Sequence, residues 1–145
     1  MGKILMTLQI VFCTLLFGAG LRGLIGTPLL WPATVLGIAI SSAGVWSMQK
    51  TTNRIRITPE PYQGTPLCDR GIYHYIRHPM YSGLLITFAM FAIACHSWWK
   101  GGGIWLGLAI VLWGKIRIEE RLLSEHLSGY REYRTRTKSL IPYVW

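Results

Sequence analysis

Residues that could do chemistry are concentrated in two places. The first reads Gly71-Ile72-Tyr73-His74-Tyr75-Ile76-Arg77-His78-Pro79-Met80-Tyr81-Ser82-Gly83. Pro79 suits the first turn of a helix, where the N–H it lacks would have no partner anyway. Arg77 and His78 then stand beside unpaired backbone N–H groups at the positive end of the helix dipole. Such a place can hold an anionic group, for example a carboxylate. The second cluster is Lys115, Arg117, Glu119, Glu120 and Arg121. With a helix ending here, two adjacent carboxylates would face its partial negative charge, so something positive must offset them. That can be the flanking Lys115, Arg117 and Arg121, or a bound cation or donor-rich ligand. A ligand with a carboxylate, a positive centre and a hydroxyl-rich sugar would suit both clusters. Acidic side chains accept from hydroxyl or amino groups, and Arg and His hold a carboxylate. Tyr73, Tyr75 and Tyr81 can stack on a ring or face a positive centre. Composition alone does not select such a ligand.

The elements that must position these clusters are apolar. Of 145 residues, 51% are hydrophobic and 14% charged, against about 25% charged in a soluble domain. Mean hydropathy is +0.33. The length fits one domain, and the apolar content excludes disorder. Three cysteines, with Cys13 and Cys95 in apolar runs, exclude a disulfide scaffold. Spans are expected at about 4–24, 29–48, 80–99 and 102–118. The first three reach the roughly 20 residues that cross a bilayer as helix. The fourth needs Gly101 and Gly102, or snorkelling by Lys115 and Arg117. The first run is long for a signal peptide and reads as a retained helix. Residues 119–133 read as an amphipathic helix with Leu122, Leu123, His126 and Leu127 on one face, able to lie in the interface. The Ile141–Trp145 end suits the headgroup level. The expected fold is an all-α polytopic membrane bundle of about four transmembrane helices plus a C-terminal amphipathic helix, forming one domain.

Basic residues orient the bundle. With the N-terminus inside, all of the 15 Lys and Arg residues except Arg22 and Lys100 are cytoplasmic, as are all 6 acidic residues. Both clusters then share the cytoplasmic face. The loop 50–79 carries Pro59, Pro61, Gly64 and Pro66, which prevent a continuous helix. Ala33, Gly37 and Ser41 form a small-residue stripe, repeated by Gly103 and Gly107, suited to close helix packing. Gly18-Ala19-Gly20-Leu21-Arg22-Gly23 matches a dinucleotide-binding pattern by letter only. It ends a span, follows no strand, and has no acidic residue about 20 positions on. Cys68, His74 and His78 match no zinc spacing, so no metal is expected. The basic tail 131–138 suits anionic lipid, and no nucleic-acid partner is expected.

Arg77-His78-Pro79-Met80-Tyr81-Ser82-Gly83 followed by Glu119-Glu120 resembles the signature of the membrane-embedded methyltransferases. These include the isoprenylcysteine carboxyl methyltransferases and the phospholipid N-methyltransferases. The resemblance covers roughly residues 60–145, including Gly71-Ile72-Tyr73, Tyr130 and Tyr133, and Ile141-Pro142. Ile72 stands where many members have Pro. The first two spans match in apolar character alone. The resemblance implies S-adenosylmethionine bound at the cytoplasmic side by regions 60–83 and 115–145. It implies cofactor contacts from Leu67, Tyr73, Arg77, His78, Pro79, Met80, Tyr81, Glu119 and Glu120. It implies catalytic roles for His78 and for Arg117, the nearest match to a basic substrate contact before the paired Glu. The reaction would be methyl transfer to a lipophilic acceptor entering between helices from the membrane lipid. The donor is intrinsically reactive, so positioning can supply much of the rate. A carboxylate or thiolate acceptor needs no general base. An amine must first lose a proton, with His78 or a Glu available to help. The prenylcysteine carboxyl reading is therefore placed first, ahead of thiol and phospholipid amine acceptors. A small transporter would want an ionisable residue within a span, and no span has an acidic residue in its middle. A membrane assembly subunit would leave both clusters unexplained.

Overall fold

The computed structural model describes residues 2–52 and 67–141. The proline-rich loop residues Pro59, Pro61, Gly64 and Pro66, the cofactor-region residues 60–66 and the 142–145 end lie outside the described residues. Among the described residues the chain is all-α, a membrane helical bundle without strands. Its helices are α1 (Gly2–Gly26), α2 (Trp31–Thr52), α3 (Pro79–Ile93), α4 (Trp98–His126) and α5 (Tyr130–Arg136). Short 3-10 turns occupy Pro28–Leu30 and Gly71–His74. Three stretches are long and apolar enough to cross a membrane: Gly2–Gly26, Pro28–Thr51 and Trp98–His126. Ile10, Phe17, Val35, Trp46 and Ile110 on these helices are exposed, as lipid-facing side chains would be.

Pro28 ends α1 by disfavouring helical backbone at the residue before it, and Thr27 is non-helical at φ −127°, ψ 79°. The Leu24 carbonyl accepts both from Thr27 N–H at 3.2 Å and from Trp31 Nε1 at 2.9 Å, which satisfies it without water. The helix at α3 is shorter than the expected span at 80–99. It has 15 residues, about 22 Å, against a hydrocarbon core of about 30 Å. Its turn at 94–97 contains neither Gly nor Pro, so nothing in the apolar run marks it. The helix at α4 is longer than expected, with 29 residues. No Gly or Pro interrupts residues 115–126, and Lys, Arg, Leu and Glu there are good helix formers. The expected span at 102–118 and the first part of the expected amphipathic helix are therefore one rod. Glu119 and Glu120 lie inside it, so the helix-end argument for an offsetting charge does not apply. Gly129, at φ +81°, supplies the left-handed turn into α5.

Glycines set the closest approaches. Gly37 meets Thr87 and the backbone of Gly83, while Gly83 faces Ser41 and the backbone of Gly37. The small-residue stripe of α2 is thus the seam with α3. Gly20 and Gly23 lie against the Phe91 and Ala94 carbonyls. Two of the three glycines of the dinucleotide-like pattern are thus helix packing, and Gly18 faces open space. Gly107 receives the Phe12 ring, whereas Gly103 faces open space. Leu16, Leu24, Phe91, Leu108 and Leu112 form the core between α1, α3 and α4.

Candidate active site

The segment before α3 is held by the C-terminal end of the described chain. Arg77 N–H donates to the Lys138 carbonyl at 2.8 Å, and His78 N–H to the Ser139 carbonyl at 3.0 Å. Lys138 N–H returns a bond to the Tyr75 carbonyl at 3.3 Å. Ser82 Oγ donates to the Leu140 carbonyl at 2.6 Å. Tyr133 Oη reaches the Tyr73 carbonyl at 2.6 Å. Burial pushes the Tyr73, Tyr130 and Tyr133 phenols above the ordinary tyrosine range, which keeps Tyr133 a neutral donor. Residues 137–140 are therefore a strap over the motif. Its pairing carries no sequence signal, because backbone groups make it.

Where α3 begins, its side chains meet α4. Arg77 Nε donates to Glu120 Oε1 at 2.8 Å. Arg77 Nη1 donates to the Arg134 carbonyl at 3.1 Å and to the Thr137 carbonyl. Arg134 Nε lies 3.4 Å from Glu120 Oε2. His78 stands between the two carboxylates, Nδ1 3.6 Å from Glu119 and Nε2 3.4 Å from Glu120. The buried Nε2 makes no hydrogen bond of good geometry there. Tyr81 Oη donates to Glu119 Oε1 at 2.5 Å, and its ring stacks on His78 at 5.6 Å. The N–H groups of Tyr81 and Ser82 donate to the His78 carbonyl, both at 3.1 Å. The Ser82 bond is the ordinary first bond of the helix, while the N–H groups of His78 and Tyr81, two of the donors expected to be open for an anion, are engaged with Ser139 and with the His78 carbonyl. Arg77 likewise ties the strap to Glu120.

The fold thus gathers Arg77, His78, Tyr81, Glu119 and Glu120. Pro79 and Met80 pack against Gly44 of α2, and the Met80 carbonyl accepts from Ser41 Oγ at 3.2 Å. Tyr73 is buried beneath the strap. Leu67 lines a separate cavity of about 610 Å³ with Trp46, Lys50 and Arg70. Arg117 is not brought to the cluster. It is exposed, its guanidinium 4.7 Å from the Trp113 ring. Two residues of periodicity decide this, since positions 117 and 119 point to different sides of a helix. The buried base of this stretch is Lys115, four residues before Glu119 and so on its face. That offset was the signal that could have found it. His74 is exposed. Cys68 donates to the Ser47 carbonyl at 3.7 Å, and burial raises its thiol.

An apolar groove of about 760 Å³ runs beside α3. Ile72, Ile76 and Leu140 line its motif end, and Met90 and Trp105 lie farther along. Ser82 lines it one residue from Tyr81.

A helical membrane bundle with basic and acidic groups clustered at one end of two helices defines the class. Residues 32–129 match the phospholipid methyltransferase family, and the chain belongs to that family of membrane methyltransferases. Both sequence clusters fall inside the match, while α1, α5 and the strap lie outside it. No curated protein and no solved structure matches the chain.

Proposed function

We propose that the chain transfers the methyl group of S-adenosylmethionine to a lipophilic acceptor, as one membrane domain with its site at the cytoplasmic face. The observation that carries the reading is the buried His78 between Glu119 and Glu120, beside an acyl-sized apolar groove. The donor set fits such a group. Tyr81 and Glu119 offer an aromatic face and a carboxylate to a positive centre or to hydroxyls. His78 Nε2 is a buried polar atom still short of a good partner. Glu119 carries the ligand-facing role, because Glu120 is already held by Arg77 and Arg134. Arg77 positions the strap. Tyr73 bounds the site on the loop side, while Leu67 lines the separate cavity beside α2.

When bound, the sulfonium supplies an electrophilic methyl, and its sulfur takes the electron pair of the breaking C–S bond. The residues around it exclude water and hold the geometry, a contribution that can be large when reacting atoms are aligned. A carboxylate or thiolate acceptor brings its own electron pair. This suits a site whose carboxylates are already held, Glu119 by Tyr81 and Glu120 by Arg77 and Arg134, so an isoprenylcysteine carboxyl-like acceptor is placed first. The family match favours a second reading, a phospholipid amine. There a proton must leave the amine, and His78 is the group placed to receive it.

Calorimetry of S-adenosylmethionine and S-adenosylhomocysteine with detergent-purified protein tests the donor. Micromolar binding, lost in Glu119→Gln and His78→Ala, is expected. Absent binding by well-folded wild type would refute the donor reading. Radiolabelled methyl transfer to palmitate, hexadecanethiol and phosphatidylethanolamine then separates the acceptors. Transfer to phosphatidylethanolamine alone would favour the amine reading.

A further inference from the structure

Lys115 is buried in α4, 6% exposed, between the buried Leu112 and Ile116. A charged residue at such a place is expensive, and where it is kept it has a use. Packing alone would be served as well or better by a hydrophobic residue of similar volume. Its ammonium donates to Gln9 Oε1 at 2.8 Å and lies 5.0 Å from the centre of the Tyr81 ring. Glu119, one helical turn on, is the carboxylate on its face, and it receives the Tyr81 phenol. None of the ion pairs among the described residues includes Lys115.

Gln9 belongs to α1, outside the family match. Its neighbours on that helix, Thr7 and Thr14, turn their hydroxyls onto carbonyls of α1 itself. Gln9 instead crosses to α4. A chain of contacts therefore joins three helices: Gln9 to Lys115, Lys115 to the Tyr81 ring, and the Tyr81 phenol to Glu119.

We propose that Lys115, fixed by Gln9, is a positioning residue that holds the Tyr81 ring and through it the Glu119 carboxylate, making α1 a working part of the site. The ligand arm of the test rests on the donor reading above; the exchange arm does not.

The test compares wild type, Lys115→Met, Gln9→Leu and the double variant in full-length protein. Three quantities are read: thermal unfolding, amide hydrogen exchange over residues 79–83, and S-adenosylmethionine affinity. Met replaces the buried charge with an apolar chain of similar length but leaves the half-buried Gln9 amide without its donor, so Lys115→Met should unfold slightly below the wild-type temperature and the double variant at or above it. Exchange over 79–83 should nonetheless rise several-fold, and affinity should fall on the order of tenfold, as displaced site groups require. Gln9→Leu should lose both stability and affinity, because it strands the ammonium. The double variant should regain the stability and not the affinity. Wild-type exchange and affinity in Lys115→Met would overturn the proposal. So would losses that track the unfolding temperature in every variant, which is the pattern of a residue that only holds the fold. Wild type that binds no S-adenosylmethionine would refute the donor reading, and the exchange result would then decide the positioning role alone.

Discussion

The helices α3 and α4 meet at both ends, and the two meetings are unlike. At one, Gly101 sits against the Ala92 carbonyl and Trp105 Nε1 donates to the Leu85 carbonyl at 3.0 Å. The polar neighbours there, His96 and Lys100, are exposed. At the other, Arg77, His78, Glu119, Glu120 and Arg134 converge. Small residues and interhelical hydrogen bonds suffice to join helices in lipid. Buried ions carry a desolvation cost that hydrophobic packing avoids. The same pair of helices can thus be held without charge, so the charged end is built for something besides association. Both ends lie within the family match over residues 32–129.

Substitutions at the two kinds of contact should sharpen this contrast. The largest effect is expected at the packed seam. Gly83→Leu would drive a side chain into the backbone of α2 at Gly37 and Ser41. Overpacking against backbone, which no rotamer change relieves, should appear as a collapse of folded yield in detergent. Near-normal yield would show that the seam can open.

At the charged end, Glu120→Ala leaves Arg77 buried without its carboxylate. Breaking such a pair costs about 3–5 kcal/mol, measured by denaturant titration. Arg77→Met with Glu120→Leu should recover most of that stability but weaken donor binding, because His78 loses the carboxylate beside its Nε2. If the double variant stays as unstable as the single one, the ion pair is structural and the contrast between the two ends fails.

A smaller effect belongs to the strap. Tyr133→Phe removes one buried hydrogen bond, worth about 1 kcal/mol. Burial raises the Tyr133 phenol in the folded state, so the neutral form is the stabilising one. Its contribution is complete below the ordinary phenol pKa of about 10 and is lost as pH rises beyond it. The stability gap between wild type and Tyr133→Phe should hold from neutral pH to about pH 9 and narrow above that. The smallest effect is expected at Arg117→Ala, an exposed residue whose guanidinium lies over the Trp113 ring. Stability should change by less than about 0.5 kcal/mol, with donor affinity unaltered. A large loss of affinity would return Arg117 to the site.

Much of this was legible in residue order. The long apolar runs announced helices, since lipid leaves backbone groups no other partner. The stripe Ala33, Gly37, Ser41 announced a close seam, and Pro79 marked the start of α3. The boundaries of α3 and α4 were not legible. The turn at 94–97 is made of residues that would also continue a helix, and residues 115–126 lack any residue that would stop one. Among the candidate site residues, the grouping of Arg77, His78, Tyr81, Glu119 and Glu120 followed from motif and topology together. Arg117, expected at the cluster, lies exposed beside Trp113, and Lys115 is the base buried near Tyr81, because a two-residue shift on a helix changes the face and sequence distance does not report it.

By itself the sequence determined an all-α membrane chain with its chemistry at the end of two spans, because hydropathy and motif are properties of residues in order. Only the tertiary structure decided that Glu120 locks the strap while Glu119 stays on Tyr81. It alone brought Lys115 to Gln9 across 106 positions of chain. Such pairings depend on how far each helix extends and which way each side turns, and those are fixed by packing between helices.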